Sequence, residues 1–363
     1  MFGLFPVIVS LLPFLSWNRA EAEIVFAGDA MQHQAQIDSS KQVDGSHNYD
    51  DYFQQLGTYI QNADYGVVNL ETPLGGKPYT GYPCFSAPDA YLDALMSAGF
   101  DLMLAANNHT LDRRDKGLLR TISQFENREV DYIGIYRNCA HRTEMLPFIK
   151  VINGIKIAFL NYTYGTNGIE VRTDVIVDYI DRDKIKRDVE AAREAGAELV
   201  TVCVHWGDEY KLLPNQSQKS LAEYLCSLGV DMIIGGHPHV IQPMEMRYSI
   251  QHNKNILLVY SLGNFISNMK TRDTRGGAVV KAFVSRNEKG IAQVDSAKYR
   301  LVFTAPPHKS TENFRLFPAE NYTEKAWRAN CQEFIKSAKA IFDKYNRTVP
   351  CDTTEIKLLK TKK

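Results

Sequence analysis

The stretch "DMIIGGHPHVIQPME", residues 231–245, decides how this chain folds. An apolar run rich in isoleucine ends in two glycines, and His237 and His239 then straddle Pro238. That order fits a buried strand that stops at a tight, stiffened tip. Two imidazoles at such a tip are either incidental turn residues or ligands of a metal. The rest of the chain chooses between the two.

Five further runs read the same way: "EIVFAGD" (23–29), "YGVVNLE" (65–71), "DLMLAANNH" (101–109), "LVTVCVHWGDE" (199–209) and "ILLVYSLGN" (256–264). Helical patterns separate them: "YDDYFQQLGTYIQNA" (49–63), "PDAYLDALMSAG" (88–99), "DKGLLRTISQFENR" (115–128), "DRDKIKRDVEAAREAG" (181–196) and "QSQKSLAEYLCSLG" (216–229). The last two end in Gly196 and Gly229, as helix C-termini often do. Near-continuous apolar strands alternating with helices predict an α/β fold whose sheet is buried on both faces. "GGAVVKAFVS" (276–285) and "AQVDSAKYRLVFT" (292–304) alternate as antiparallel strands, and 323–345 carries helical spacing.

Each of the six runs ends in a metal-binding type of residue: Asp29, Glu71, Asn108 with His109, His205, His237 with His239, and Asn264. In open α/β sheets ligands bind beyond the carboxyl ends of the strands, so these tips are expected to converge. One polar tip means little. Six in succession, holding four of the nine histidines, point to a metal centre. Imidazole, carboxylate and amide ligands without thiolate suit zinc, manganese or iron better than calcium or an iron–sulfur cluster. The number of candidates exceeds what one four-coordinate ion needs, which points to two divalent ions sharing a carboxylate.

The ordered motifs GD, NLE, NNHxxD, HWGxEY, GxHPH and SLGNF resemble the bacterial capsule-synthesis family (CapA-like, poly-γ-glutamate biosynthesis) of the calcineurin-like metallophosphoesterase superfamily, over about residues 23–285. The resemblance implies a two-sheet sandwich flanked by helices, a four-layer αββα arrangement, with a dinuclear site at one edge. It implies Asp29 and His239 on a first ion, Asn108, His205 and His237 on a second, and Glu71 in the bridging place. His109 takes the position of the catalytic histidine that protonates a leaving oxygen. Two departures stand out. The superfamily's Asp-x-His reads Asp29-Ala30-Met31 here, leaving His33, Asn264 or water to fill the gap. Thr110 stands where an acid usually follows the catalytic histidine, so Asp112 is the expected partner that orients it.

Lys plus Arg and Asp plus Glu number 42 each, so no net field selects nucleic acid. The expected substrates are a phosphoester or an anionic polymer, contacted through Lys270, Arg272 and Arg275 of "NMKTRDTRGG" (268–277), with membrane-bound exopolymer-synthesis proteins as partners. Arg113 and Arg114 read better as a solvated helix face, and Trp206 and Tyr210 as core packing. Residues 1–17 carry no charge and "AEA" (20–22) fits a cleavage site before Glu23, so export with a signal peptide over 1–22 is expected. An uncleaved anchor is the alternative, although the run is short for a span and holds Pro6 and Pro13. The domain is expected over 23–305, with 306–363 a helical segment packed on it and a basic tail. Cys203 reads as a buried thiol, while Cys331 and Cys351 are candidates for a disulfide. Three functions follow: a metal-dependent hydrolase, a non-catalytic assembly factor of the exopolymer machinery, and, last, a secreted 5′-nucleotidase.

Overall fold

The computed structural model describes residues 20–356 apart from Gly57 and Ser310; most of the expected signal peptide and the basic tail lie outside these residues. Along the first half run β1 (Glu21–Ala30), α1 (Gln34–Ser40), α2 (Thr58–Gln61), β2 (Tyr65–Leu70), α3 (Ala90–Ser97), β3 (Leu102–Leu104) and α4 (Arg114–Asn127). Next come β4 (Asp131–Ile133), β5 (Ile135–Tyr136), α5 (Cys139–Met145), β6 (Phe148–Ile152), β7 (Ile155–Thr163), β8 (Ile176–Val177) and α6 (Arg182–Glu194). The order continues with β9 (Leu199–His205), α7 (Gln216–Ser227), β10 (Met232–Gly236), β11 (Met244–Ser249), β12 (Lys254–Val259) and β13 (Asn264–Ile266). β14 (Gly276–Arg286), β15 (Ala292–Ala305), β16 (Arg315–Pro318) and α8 (Arg328–Tyr345) close the chain.

Two large sheets result. One has the order β16-β15-β14-β1-β2-β3-β4, with β13 also on β1; the other has the order β11-β12-β10-β9-β7-β6. The pairs β1–β2, β2–β3, β7–β9, β9–β10 and β10–β12 are parallel. The period of two along each strand builds the layers. Ile24, Phe26 and Val67 of the first sheet meet Ile157, Phe159 and Met232 of the second in one core. The alternate residues Val25, Val68 and Met103 pack under Leu92, Leu95, Leu118 and Ile122 of α3 and α4. Leu160, Val202 and Ile233 face Ile185, Val189, Leu221 and Leu225 of α6 and α7. Helix, sheet, sheet and helix make the four layers expected of a metallophosphoesterase-like fold. Gly196 and Gly229 follow their helices with φ of 89° and 72°.

Some elements differ from the sequence reading. Residues 49–63 do not form one helix: Tyr49, Tyr52 and Phe53 are buried, and the Tyr52 carbonyl accepts the Leu316 amide of β16. That exchange ties the segment to a sheet edge and leaves only a short turn and α2. β16 and α8 follow residue 305, and Phe334, Ala338 and Phe342 of α8 join the inter-sheet core. The disulfide considered between Cys331 and Cys351 is not formed, since all six cysteines are free; the buried Cys331 thiol instead contacts the Ala319 carbonyl. β1 begins at Glu21, and Glu21 and Ala22 pair with Ser285 and Val284, so the ladder starts ahead of the expected boundary at Glu23. No helix among the described residues is long and apolar enough to cross a membrane.

Candidate metal centre

The strand tips meet at one edge of the sandwich because the parallel strands present their carboxyl ends there. A register shift between Ala27 and Asp29 swings the Asp29 side chain into place. Gly28 permits this, since a Cβ there would sit 2.0 Å from the Gly263 carbonyl oxygen. The glycines before His237 have the same use: a Cβ on Gly235 would lie 2.1 Å from the Tyr260 carbonyl, and one on Gly236 2.8 Å from Asp29 Oδ1. His237 and His239 then adopt φ of 98° and 58°, a region that non-glycine residues enter rarely and at a cost of order 1–3 kcal/mol. The tip is held by the His237 amide on Asp29 Oδ2 at 3.3 Å and by the Tyr210 amide on the Pro238 carbonyl at 2.9 Å. Strain kept at a buried tip is a mark of a functional site.

Two groups of donors form. Donor atoms of Asp29, Glu71 and His205 lie within 4.8 Å of one another, as do those of Glu209, His237 and His239. Glu71 Oε1 touches both, at 3.7 Å from His205 Nε2 and 3.7 Å from His239 Nε2. Asp29 Oδ2 is 3.3 Å from His239 Nδ1, and Asn108 Oδ1 is 2.9 Å from His205 Nε2. The six expected residues Asp29, Glu71, Asn108, His205, His237 and His239 therefore share one cluster. The resemblance sends His237 and His239 to different ions; the structure places both near Glu209 as well.

The electrostatics are those of a site short of positive charge. Burial raises the Glu71 carboxyl well above its usual range, and the neighbouring Asp29 charge raises it further. Burial acts upward on Asp29 too, but the hydrogen bond and charge of His239, the charge of His205 and the Asn69 amide hold it below the usual range. His205 is held well below the ordinary imidazole value by burial and by His237, and His237 is lowered to about 4 by burial and by His239. Both rings are thus neutral at pH 7, the state in which imidazole ligates. Glu71 Oε1 and His237 Nδ1 are buried with no hydrogen-bond partner. Divalent cations held by the two donor groups would satisfy these atoms and offset the buried carboxylates of Asp29 and Glu71, so the residues fit a metal.

Supporting side chains hold the cluster in place. Asn69 Nδ2 donates to Asp29 Oδ1 at 2.8 Å and lies 3.3 Å from Glu71 Oε2, while Asn69 Oδ1 accepts from Asn107 at 3.2 Å. Asn107 Oδ1 in turn accepts the His109 amide at 3.1 Å. Asn264 Oδ1 lies 3.0 Å from His239 Nδ1 and its amide donates to the Thr274 carbonyl. Asn264 therefore orients an imidazole. His33 caps α1, with Nδ1 3.2 Å from Gln36 Oε1 and 3.3 Å from the Asn268 amide, and belongs to neither donor group.

His109 is buried beside the cluster, its Nδ1 2.8 Å from Asp112 Oδ2 and its ring edge-on to Phe85 at 4.6 Å. Asp112 Oδ2 also accepts the Phe85 amide at 2.8 Å. Thr110 builds the loop instead, donating to the carbonyls of Ala105 and Asn107. Of the expected anion contacts Lys270, Arg272 and Arg275, the two arginines are engaged elsewhere. Arg272 is paired with the adjacent Asp273, and Arg275 donates to the Lys270 carbonyl with its guanidinium 4.8 Å over Trp327. Trp206 is core, as expected, but Tyr210 is half exposed beside His239. Sequence reasoning missed Glu209, four residues past the end of β9, although the acid of HWGxEY was a signal for it. Tyr164, whose ring lies 4.5 Å from that of His237, carried no signal.

The profile of the family described as Bacterial capsule synthesis protein PGA_cap matches residues 23–269. "Capsule biosynthesis protein CapA" of Bacillus anthracis is 28% identical over 271 residues, which cover 70% of this chain and 62% of that protein. "PGA biosynthesis protein CapA" of Bacillus subtilis (strain 168) is 27% identical over 267 residues, covering 72% of this chain and 68% of that one. Among solved structures, the NAD nucleotidase NadN of Haemophilus influenzae superposes with a TM-score of 0.50 at 12% identity, over 93% of this chain and 65% of its own. That likeness concerns the fold, which is the phosphoesterase-like one. The match over most of the chain and the motif order agree: this chain belongs to the bacterial capsule synthesis protein family PGA_cap.

Proposed function

We propose that this protein is a metal-dependent hydrolase of phosphoester type acting in the synthesis or processing of a capsule or other exopolymer. The observation that carries the reading is Glu71, a buried carboxylate with an unpartnered oxygen 3.7 Å from an imidazole in each donor group. Two divalent ions of the zinc, manganese or iron kind, when bound, would polarise a phosphoryl oxygen and acidify a water towards pKa about 7. Asp29, Asn108, His205, His237, His239 and Glu209 would hold them, with Glu71 between. Water adds to phosphorus as the P–O bond to the leaving group breaks, and the departing oxygen takes a proton. His109 supplies that proton from Nε2, because its Nδ1 is committed to Asp112. Phe85 and Asp112 fix the ring, so the acid is presented in one orientation. A phosphoester screen on metal-loaded protein, repeated on His109→Ala, tests this; no turnover of any phosphoester would overturn it.

A second reading, a metal-binding assembly factor without turnover, is favoured by Met31, a buried apolar residue where the superfamily places a ligand. It predicts bound metal, no turnover, and loss of exopolymer on deletion rather than on His109→Ala. Export belongs to the proposal, with membrane-bound synthesis proteins as partners. Mass spectrometry of natively expressed protein should find the chain beginning near Glu23, and an intact Met1 in the cytosolic fraction would contradict it.

A further inference from the structure

A cleft of about 510 Å³ opens beside the metal centre, within the roughly 300–1,000 Å³ of small-molecule sites. Tyr164 lies at the junction of the two. Its ring lies 4.5 Å from that of His237, runs parallel to that of His205 at 6.3 Å, and lines the cleft. The segment 206–208, directly between the ligand-type residues His205 and Glu209, forms another wall. A group bound here is therefore joined to whatever reacts at the cluster.

The lining states what that group is. Arg182, Asp208, Asn215, Ser217 and Ser220 present one cation, one carboxylate, an amide and two hydroxyls, so the walls carry no net charge. They are already locked together: Arg182 donates to Ser220 Oγ at 2.8 Å, Asn215 to Asp208 Oδ2 at 2.9 Å, and Ser217 to Asn215 Oδ1 at 2.8 Å. Hydroxyl lone pairs and the other Asp208 oxygen remain to accept, and the guanidinium holds further donors. An anionic polymer would need an excess of positive charge, which this cleft lacks. A nucleobase is held best between two open flat faces. Of the two aromatic side chains in the lining, Trp206 is buried with its Nε1 on the Tyr260 carbonyl, which leaves Tyr164 as the one exposed ring. A sugar matches: its vicinal hydroxyls pair with carboxylate, guanidinium and hydroxyl groups, and its C–H face rests on an aromatic ring whose other end is polar.

We propose that this cleft binds a neutral glycan segment, so that the substrate is a phosphoester attached to a sugar. The proposal rests on the hydrolase reading for the attached phosphoester, but the binding of sugar does not, and the two are separable. Neutral trisaccharides such as maltotriose and cellotriose are titrated into the full chain, stripped of metal with EDTA, by saturation-transfer NMR. Saturable binding is expected, weakened at least about tenfold in Ser220→Trp, which fills the cleft, and in Asp208→Ala, which does not. Unchanged thermal melting shows that the variants fold. With metal-loaded protein, Ser220→Trp should lower kcat/KM for a glucosyl phosphodiester by the same factor relative to bis(p-nitrophenyl) phosphate. Sugar binding without any phosphoester turnover would sink the hydrolase reading and leave the cleft assignment standing. Turnover of bis(p-nitrophenyl) phosphate with no sugar binding would overturn the cleft assignment alone. Binding of adenosine or oligo-γ-glutamate in place of sugar, blocked by Ser220→Trp, would also overturn it.

Discussion

Replacing His109 with Ala separates an acid from a ligand. The ring is 4% exposed, its Nδ1 is bound to Asp112 at 2.8 Å, and it belongs to neither donor group. Its loss should leave the ions in place and remove only proton donation, which contributes about 10²–10⁴-fold, or roughly 3–5 kcal/mol of barrier. Asp112→Asn should cost less, about 10–150-fold, because it weakens one charge-assisted hydrogen bond of ~1.5–3 kcal/mol while the ring remains. The assay is kcat on a series of phosphoesters with leaving groups from alkyl to nitrophenyl, beside metal analysis of each variant. Alkyl esters need protonation and should lose the full factor; nitrophenyl esters leave unaided and should lose little. His237→Ala should lose metal and activity together. Equal metal loss in His109→Ala and His237→Ala would refute the assignment and make His109 a ligand.

Asn69→Ala removes the amide that holds Asp29 and receives Asn107, and should weaken metal binding about 10–100-fold by chelator competition; unchanged affinity would show that the amide does not position the ligands. Acid should destabilise the metal-free fold. His237 and His33 are both lowered from 6.5 to about 4, by burial first. The unfolded chain therefore takes up protons that the fold excludes, so stability is full above pH 6.5 and falls as pH drops towards 4, by up to roughly 3 kcal/mol for each ring. Melting of Glu71→Gln at pH 7, 6 and 5 shows this, because the raised Glu71 carboxyl titrates in the opposite sense. A melting temperature that holds or rises towards pH 5 would contradict it.

The fold was legible because each strand of the centre pairs an apolar run with a polar tip, and α6 and α7 bury residues at helical spacing. The hairpin of β6 and β7 escaped that alternating pattern despite its Asn153-Gly154 turn, where both residues have positive φ. Within the site, the His109–Asp112 pair was readable because the two stand three positions apart, within one turn. Glu209 was passed over although the HWGxEY motif contains it, since an exposed acid in a loop looks like any other until the fold brings His237 and His239 to it. Asn69 reads as a mid-strand polar residue, and only strand register shows that it lies between Asp29 and Glu71. The two arginines of 268–277 misled for different reasons: Asp273, next to Arg272, pairs with it, while Trp327, remote in sequence, is brought under Arg275 only by the fold.

The central claim is that two divalent ions meet at Glu71, and counting them tests it most directly. Protein loaded with zinc or manganese and freed of excess should carry close to two ions per chain by inductively coupled plasma mass spectrometry. Glu71→Ala should carry fewer than one, and His109→Ala should keep both. Wild-type protein that retains no ion, or a Glu71→Ala variant that retains two, would contradict the account.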